Sequence, residues 1–303
     1  MTGYIANTDR GWFDFLRLQP PQEEVNFWSP SAHSVFRGPV GSPFFFKLKS
    51  PDNAIGGYGV VSWADRMPEW LAWECFGQGN GAPNLVAMQA QIERLRKSSD
   101  IQGRESLDQI GCIILSRPVF FPPELWIPQP IDWKKNNLRY AGYDLATGEG
   151  ARVWRECQLR VEGLTAVLEA DRYGQPVLIA PRLGQGTFRL AVTKAYGGAC
   201  AMTGEHSLPV LEAAHIKAYG ADGEHEVRNG ILLRSDVHKL FDRGYMTVTP
   251  EHRVEVSRQF KEHFSNGKSY YPLHGAAVAL PQRQVDLPDA AFLQWHNEHV
   301  FRA

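Results

Sequence analysis

The chain has 303 residues, 43% of them hydrophobic, which is length for two domains and enough apolar surface to bury a core in each. Its formal net charge of −1 excludes a globally basic nucleic-acid binder, so any such surface must come from local clustering. No apolar run approaches the ~20 residues that span a bilayer; the four cysteines, Cys75, Cys112, Cys157 and Cys200, form no CxxC pair and follow no secretory signal, which reads as a reducing cytoplasm.

From Tyr4 to about Tyr143, short strand-like runs alternate with Gly and Pro: "SPFFFKLKS", "IGGYGVVSW", "IGCIILSRPVFF". One helical passage interrupts them, "APNLVAMQAQIERLRKSS", with Leu85, Met88, Ile92 and Leu95 at helical spacing. A β-barrel or curved sheet with a covering helix fits, over residues 1–145. Residues 146–180 start loop-like, then turn helical, then strand-like, and are assigned as the connection between domains. The remainder, 181–303, forms the second domain of an α+β chain. It opens with a helix in "GQGTFRLAVTKAYGGAC", where Phe188, Val192 and Tyr196 share a face and Gly197 and Gly198 stop it.

Next comes "VLEAAHI", a strand; "KAYGADGEHEVRN", a loop; "GILLRS", a second strand; and "SDVHKLFDRG", a helix with Ser235 as its N-cap. This strand–strand–helix unit carries His215 at the end of the first strand, Asn229 at the entry to the second and His238 on the helix, with Asp242 at i+4 from it. Phosphodiester hydrolysis at neutral pH needs a base for water, a group that orients the base, and a divalent cation to neutralise charge on the phosphate and leaving oxygen. A histidine near neutrality, an amide and a second histidine answer those needs.

The run "AAHI", "NGILL", "HKLFDRGY", together with "RLGQGTFRLAVTKAYGGACAMTG" upstream, resembles the HNH (ββα-metal) nucleases over roughly 180–257. The resemblance implies His215 as general base, Asn229 as orienting residue and His238 as ligand to a divalent metal, Mg²⁺, Mn²⁺ or another transition metal. Many members place Asp or His before the base, where this chain has Ala214; Asp242 is the candidate second ligand and Glu212 a weaker one. Many also carry two CxxC pairs for structural zinc, whereas here only Cys200 remains, as buried filler. His206, His225, His252, His263 and His274 read as solvated or structural.

In the first domain, aromatics stand beside turns: Trp28, Phe46, Tyr58, Trp63, Trp126 and Trp133. Such residues at strand ends can cage a flipped base, Trp28 and Trp63 foremost, with Lys47, Lys49, Lys134 and Lys135 flanking as phosphate contacts. The segment from about Asn26 to Trp133 looks like the EVE branch of the PUA-like barrels, relatives of the SRA readers of modified cytosine. Joined, the two resemblances imply a modification-dependent type IV restriction endonuclease acting on double-stranded DNA that carries 5-methyl- or 5-hydroxymethylcytosine. Cutting both strands suggests a homodimer. Two other readings stay open: an HNH enzyme whose first domain binds protein or unmodified nucleic acid, and a non-catalytic DNA reader with a decayed nuclease fold.

Overall fold

The structure is a computed structural model that describes residues 1–31, 35–98, 109–134, 139–169, 184–218, 220, 223–265 and 267–303. The chain divides into two compact units, Met1–Pro181 and Arg182–Ala303. No helix among the described residues is long and apolar enough to cross a membrane.

In unit 1 the elements run β1 (Thr2–Thr8), α1 (Arg10–Arg17), β2 (Glu24–Ser29), β3 (Pro43–Leu48), β4 (Ala54–Pro68), α2 (Glu69–Phe76), α3 (Leu85–Ser98), β5 (Gln109–Phe120), β6 (Ile127–Pro128), β7 (Tyr140–Asp144) and α4 (Gly148–Glu169). Their strands make a sheet of order β2-β5-β4-β3-β1-β7, with β6 paired to β4. Among the described strands of this unit, only β1 and β3 run parallel.

The three consecutive phenylalanines of β3 lie in the middle of the sheet, and each is fully buried. Side chains alternate across a strand, so Phe44 and Phe46 enter one core with Trp12, Phe13 and Leu16 of α1, while Phe45 enters the other with Ile55, Phe121, Val153 and Cys157. A strand covered on both faces reads as an unbroken apolar run for this reason. Met88 and Ile92 are the buried stripe of α3. Strand β4 shifts register twice against β5, and a Cβ on its Gly57 would stand 2.0 Å from the Val119 carbonyl oxygen, a closeness only glycine permits.

Two features of unit 1 differ from the sequence reading. The described strands do not close into a barrel: the hydrogen-bonded path ends at β2 and at β7, and closure would need these two to pair. Beyond β5, strand β2 meets the Gly77–Asn80 turn, held through Asn26 Nδ2 to Asn80 Oδ1 (2.9 Å) and Trp28 Nε1 to the Asn80 carbonyl (2.8 Å). The passage from residue 148, assigned to a connection, is helix α4, and its Val153 and Cys157 are fully buried against the sheet of unit 1.

Unit 2 contains α5 (Gln185–Ala195), β8 (Leu211–His215), β9 (Gly230–Arg234), α6 (Ser235–Asp242), β10 (Met246–Val248), β11 (Val254–Val256), α7 (Gln259–Phe264) and α8 (Ala290–His299). Strands β8 and β9 pair antiparallel, Leu211 with Arg234 through His215 with Gly230, as do β10 and β11. One core joins them: Phe188 and Val192 of α5, Ile231 and Leu233 of β9, Val237 and Phe241 of α6, and Leu293 of α8.

Helix α5 stops where Gly197 and Gly198 take φ of 62° and 70°, the left-handed region glycine enters without cost. Helix α6 begins at Ser235, so its N-cap is Arg234 rather than the serine. The Arg234 guanidinium instead grips Asp236 at 2.6 and 2.8 Å, and Asp236, pulled down to about 2 by that arginine, puts its negative charge in the first turn, where the helix dipole favours it.

Candidate active site

The β8–β9–α6 unit presents the site. Gly230 opens β9 opposite His215, and a Cβ there would meet Val192 Cγ2 at 2.3 Å and the Phe188 ring at 3.0 Å. The missing side chain lets α5 press against the strand pair. Phe188 thereby reaches His215, and the two rings stack with centroids 4.0 Å apart and planes 9° apart.

Asn229, one residue earlier, is fully buried. Its Oδ1 accepts from the Lys217 N–H at 2.8 Å, and its Nδ2 donates to the carbonyls of Lys217 and Glu224, both at 3.0 Å. The Asn229 carbonyl accepts the Ile216 N–H at 2.9 Å. A buried amide can be kept only if its donors and acceptor are met, and these three backbone groups meet them. Their effect is to fix the chain on either side of the loop that leaves β8.

His215 Nε2 lies 2.9 Å from Nδ1 of His225, a residue the sequence reading set aside as solvated or structural. Burial, reinforced by His225 and His238, pushes His215 down to about 4, so its ring is neutral at pH 7. On α6, His238 Nδ1 stands 2.7 Å from Glu212 Oε2 and His238 Nε2 3.3 Å from Asp242 Oδ2. Burial works against charge on that ring, but Asp242 and Glu212 outweigh it and raise His238 above its ordinary value. Glu212 therefore acts on the ring from the nitrogen opposite to Asp242. No group of three or more His, Cys, Asp or Glu among the described residues is arranged to hold a metal.

Cys200 is fully buried and its sulfur accepts the Arg234 N–H at 3.2 Å. His274 Nδ1 accepts the Val256 N–H at 3.1 Å, and His263 Nδ1 pairs with the Tyr245 hydroxyl at 3.1 Å. His296, on α8, is buried between Thr247 and the Phe241 carbonyl and stacks on Phe241.

Unit 1 holds a cavity of about 550 Å³ walled by Trp12, Phe27, Trp28, Phe36 and Tyr140, with Asp9, Lys49 and Arg139 among its lining. Of the aromatics singled out in the sequence, Trp28 lines it. Phe46 has no exposed surface and packs among Trp12, Phe27 and Phe120, so it belongs to the core and not to a cage. Tyr58 packs edge-on against Trp154 of α4, and Trp126 packs on Phe13 under Arg10. Trp63, half-buried on β4, is also outside the cavity lining. Lys47 is buried with its ammonium over the Trp133 ring, which removes it from the surface contacts; Lys49 and Lys134 are exposed, and Lys135 lies outside the described residues. Trp12 of α1, Phe36 between β2 and β3, and Tyr140 of β7 were missed because each sits in an ordinary-looking core pattern, and only the tertiary fold of unit 1 sets them around one space.

Residues 200–249 match the family described as HNH endonuclease. The match covers that segment alone and supports a nuclease, a hydrolase. No curated protein matches the chain. Among solved structures, ASCH from Zymomonas mobilis is 8% identical at a TM-score of 0.32, over 50% of this chain and 94% of that one. Two single-residue variants of it are each 7% identical at a TM-score of 0.31, over 54% of this chain and 97% or 95% of theirs. Likeness this slight decides nothing about unit 1.

Proposed function

We propose that the protein is a modification-dependent DNA endonuclease: unit 1 receives a modified base, a 5-substituted cytosine, turned out of double-stranded DNA, and the HNH site of unit 2 hydrolyses a phosphodiester nearby. The observation that carries the reader half is the aromatic cavity of unit 1, whose size lies within the usual range for small-ligand pockets. Two indoles and three other rings suit a planar base, while Lys49 and Arg139 suit the phosphates beside it.

In unit 2, His215 is the base, its neutral ring ready to take a proton from water. Asn229 holds the backbone that aims it. A divalent cation, Mg²⁺ or Mn²⁺, would be held by His238 Nε2 and Asp242, with Glu212 orienting the ring through Nδ1. Two protein donors fit such ions, which keep several waters and accept phosphate oxygens. Bound there, the cation would neutralise charge on the phosphate and the leaving oxygen. With a single HNH motif in the sequence, cutting both strands takes two chains, so the proposal includes a homodimer.

The test is nicking of plasmid that carries or lacks 5-methyl- or 5-hydroxymethylcytosine, with Mg²⁺ or Mn²⁺ at fixed salt. Cleavage of modified DNA alone supports the proposal. Equal cleavage of both plasmids removes the reader and leaves unit 1 as a binder of protein or unmodified nucleic acid. Selective binding with no cleavage under either metal would indicate a reader whose nuclease has decayed.

A further inference from the structure

We infer that His225 is a positioning residue for His215: its Nδ1 accepts the His215 Nε2–H and so commits Nδ1 of His215 to carry the lone pair that takes the proton from water. The inference rests on the reading of His215 as the base. A neutral imidazole has one N–H and one lone pair, and the partner at one nitrogen decides which the other bears. His215 Nε2 and His225 Nδ1 are 2.9 Å apart, so one of them donates. If His225 donated, the lone pair of His215 would be spent on its neighbour and the other nitrogen would hold a hydrogen. Only the opposite direction leaves His215 a free lone pair, at Nδ1.

Three further observations show that this pair is built into the fold. Phe188 backs both rings, stacking on His215 at 4.0 Å and lying 5.6 Å from His225 at a tilt of 48°. Asn229 holds the carbonyl of Glu224, immediately before His225, and both backbone groups of Lys217, two residues after His215. One buried amide thus fixes the chain next to each histidine. The turn that carries His225 is closed by the Glu226 N–H to Glu224 carbonyl and the Asn229 N–H to Glu226 carbonyl, both 2.9 Å.

The experiment uses the whole 303-residue chain. With ¹⁵N-labelled histidine, side-chain NMR of the wild type should show Nδ1 of His215 unprotonated and Nε2 protonated, and His225→Leu should mix the two tautomers. His225→Leu should also lower kcat on the order of 10- to 100-fold, part of what a general base contributes, with KM little changed. His225→Asn, whose Oδ1 can accept in place of Nδ1, should restore most of that loss. A wild-type His215 protonated at Nδ1 overturns the inference, as does a folded His225→Leu within twofold of wild-type kcat. If His225→Leu does not fold, the wild-type tautomer and His225→Asn decide. His215→Ala separates the two readings: activity surviving that change overturns the base itself, whereas an inactive His215→Ala beside a normal His225→Leu overturns the positioning role alone.

Discussion

Phe188 and His215 lie face to face, 4.0 Å between ring centroids, although one belongs to α5 and the other ends β8. A helix outside the strand–strand–helix unit therefore forms the wall behind His215, the proposed base. Phe188 is essentially fully buried, so Phe188→Ala should cost about 3–5 kcal/mol of unit 2 stability, as large-to-small changes of this kind do. Phe188→Leu should keep the fold and lose the flat surface. We expect it to lower cleavage more than its shift in urea midpoint would explain, which steady-state kinetics beside denaturation will show.

Gly230→Ala addresses the same contact from the strand side. The new methyl would meet Val192 Cγ2 at 2.3 Å, and a valine methyl has nowhere to swing. Overpacking of this sort costs typically 1–3 kcal/mol. Adding Val192→Ala should recover part of the stability, a coupling that a double-mutant cycle on thermal melts would measure.

Acid should weaken unit 2 in a defined window. His215 is held down to about 4, by burial first and then by His225 and His238; His296 is also held down to about 4, by burial. Unfolded, both titrate near 6.5, so between about 4 and about 6.5 the unfolded chain binds protons that the folded chain refuses. Stability is whole above that window and falls as pH drops through it. His296→Gln should remove one proton from the slope of stability against pH. Cleavage under saturating metal should likewise persist well below pH 6.5, because His215, the proposed base, stays neutral.

His238 behaves in the opposite sense. Its raised value means that, without metal, its pairing with Asp242 and Glu212 stabilises fully below about pH 6.5 and is lost as pH climbs through the folded value. If His238 is the ligand proposed above, Mg²⁺ or Mn²⁺ displaces that proton, so binding should tighten with rising pH and release a proton, read by calorimetry in buffers of different ionisation heat. His238→Gln should abolish cleavage and the proton release. Asp242→Asn should change the preference between the two metals; a variant with unaltered metal response and lower melting temperature would make Asp242 a helix-end residue only.

Trp28→Ala should erase discrimination between modified and plain duplex while unit 2 keeps its chemistry. Base stacking on an aromatic is worth about 1–3 kcal/mol, roughly tenfold or more in binding to modified sites. Trp63→Ala, outside the cavity lining, should leave that discrimination intact. Binding at fixed salt to duplexes differing in one cytosine 5-substituent distinguishes the two variants; equal losses would move the reader site away from the cavity.

The sequence by itself determined the parts of this protein whose physics is local. The glycine pair that stops α5, the strand–strand–helix succession and the placing of His215, Asn229, His238 and Asp242 on it all follow from periodicity and turn chemistry within a few residues. What only the tertiary structure decided depends on segments distant in the chain. His225 became the partner of His215 because a loop turns back under Asn229, and Phe46 and Lys47 left the surface because β3 is covered on both faces. The cavity of unit 1 draws its walls from β1, α1, β2, α3, β5 and β7, a convergence set by strand pairing. Side-chain period tells which way a residue points along its own strand; it carries no information about which other strand will stand beside it.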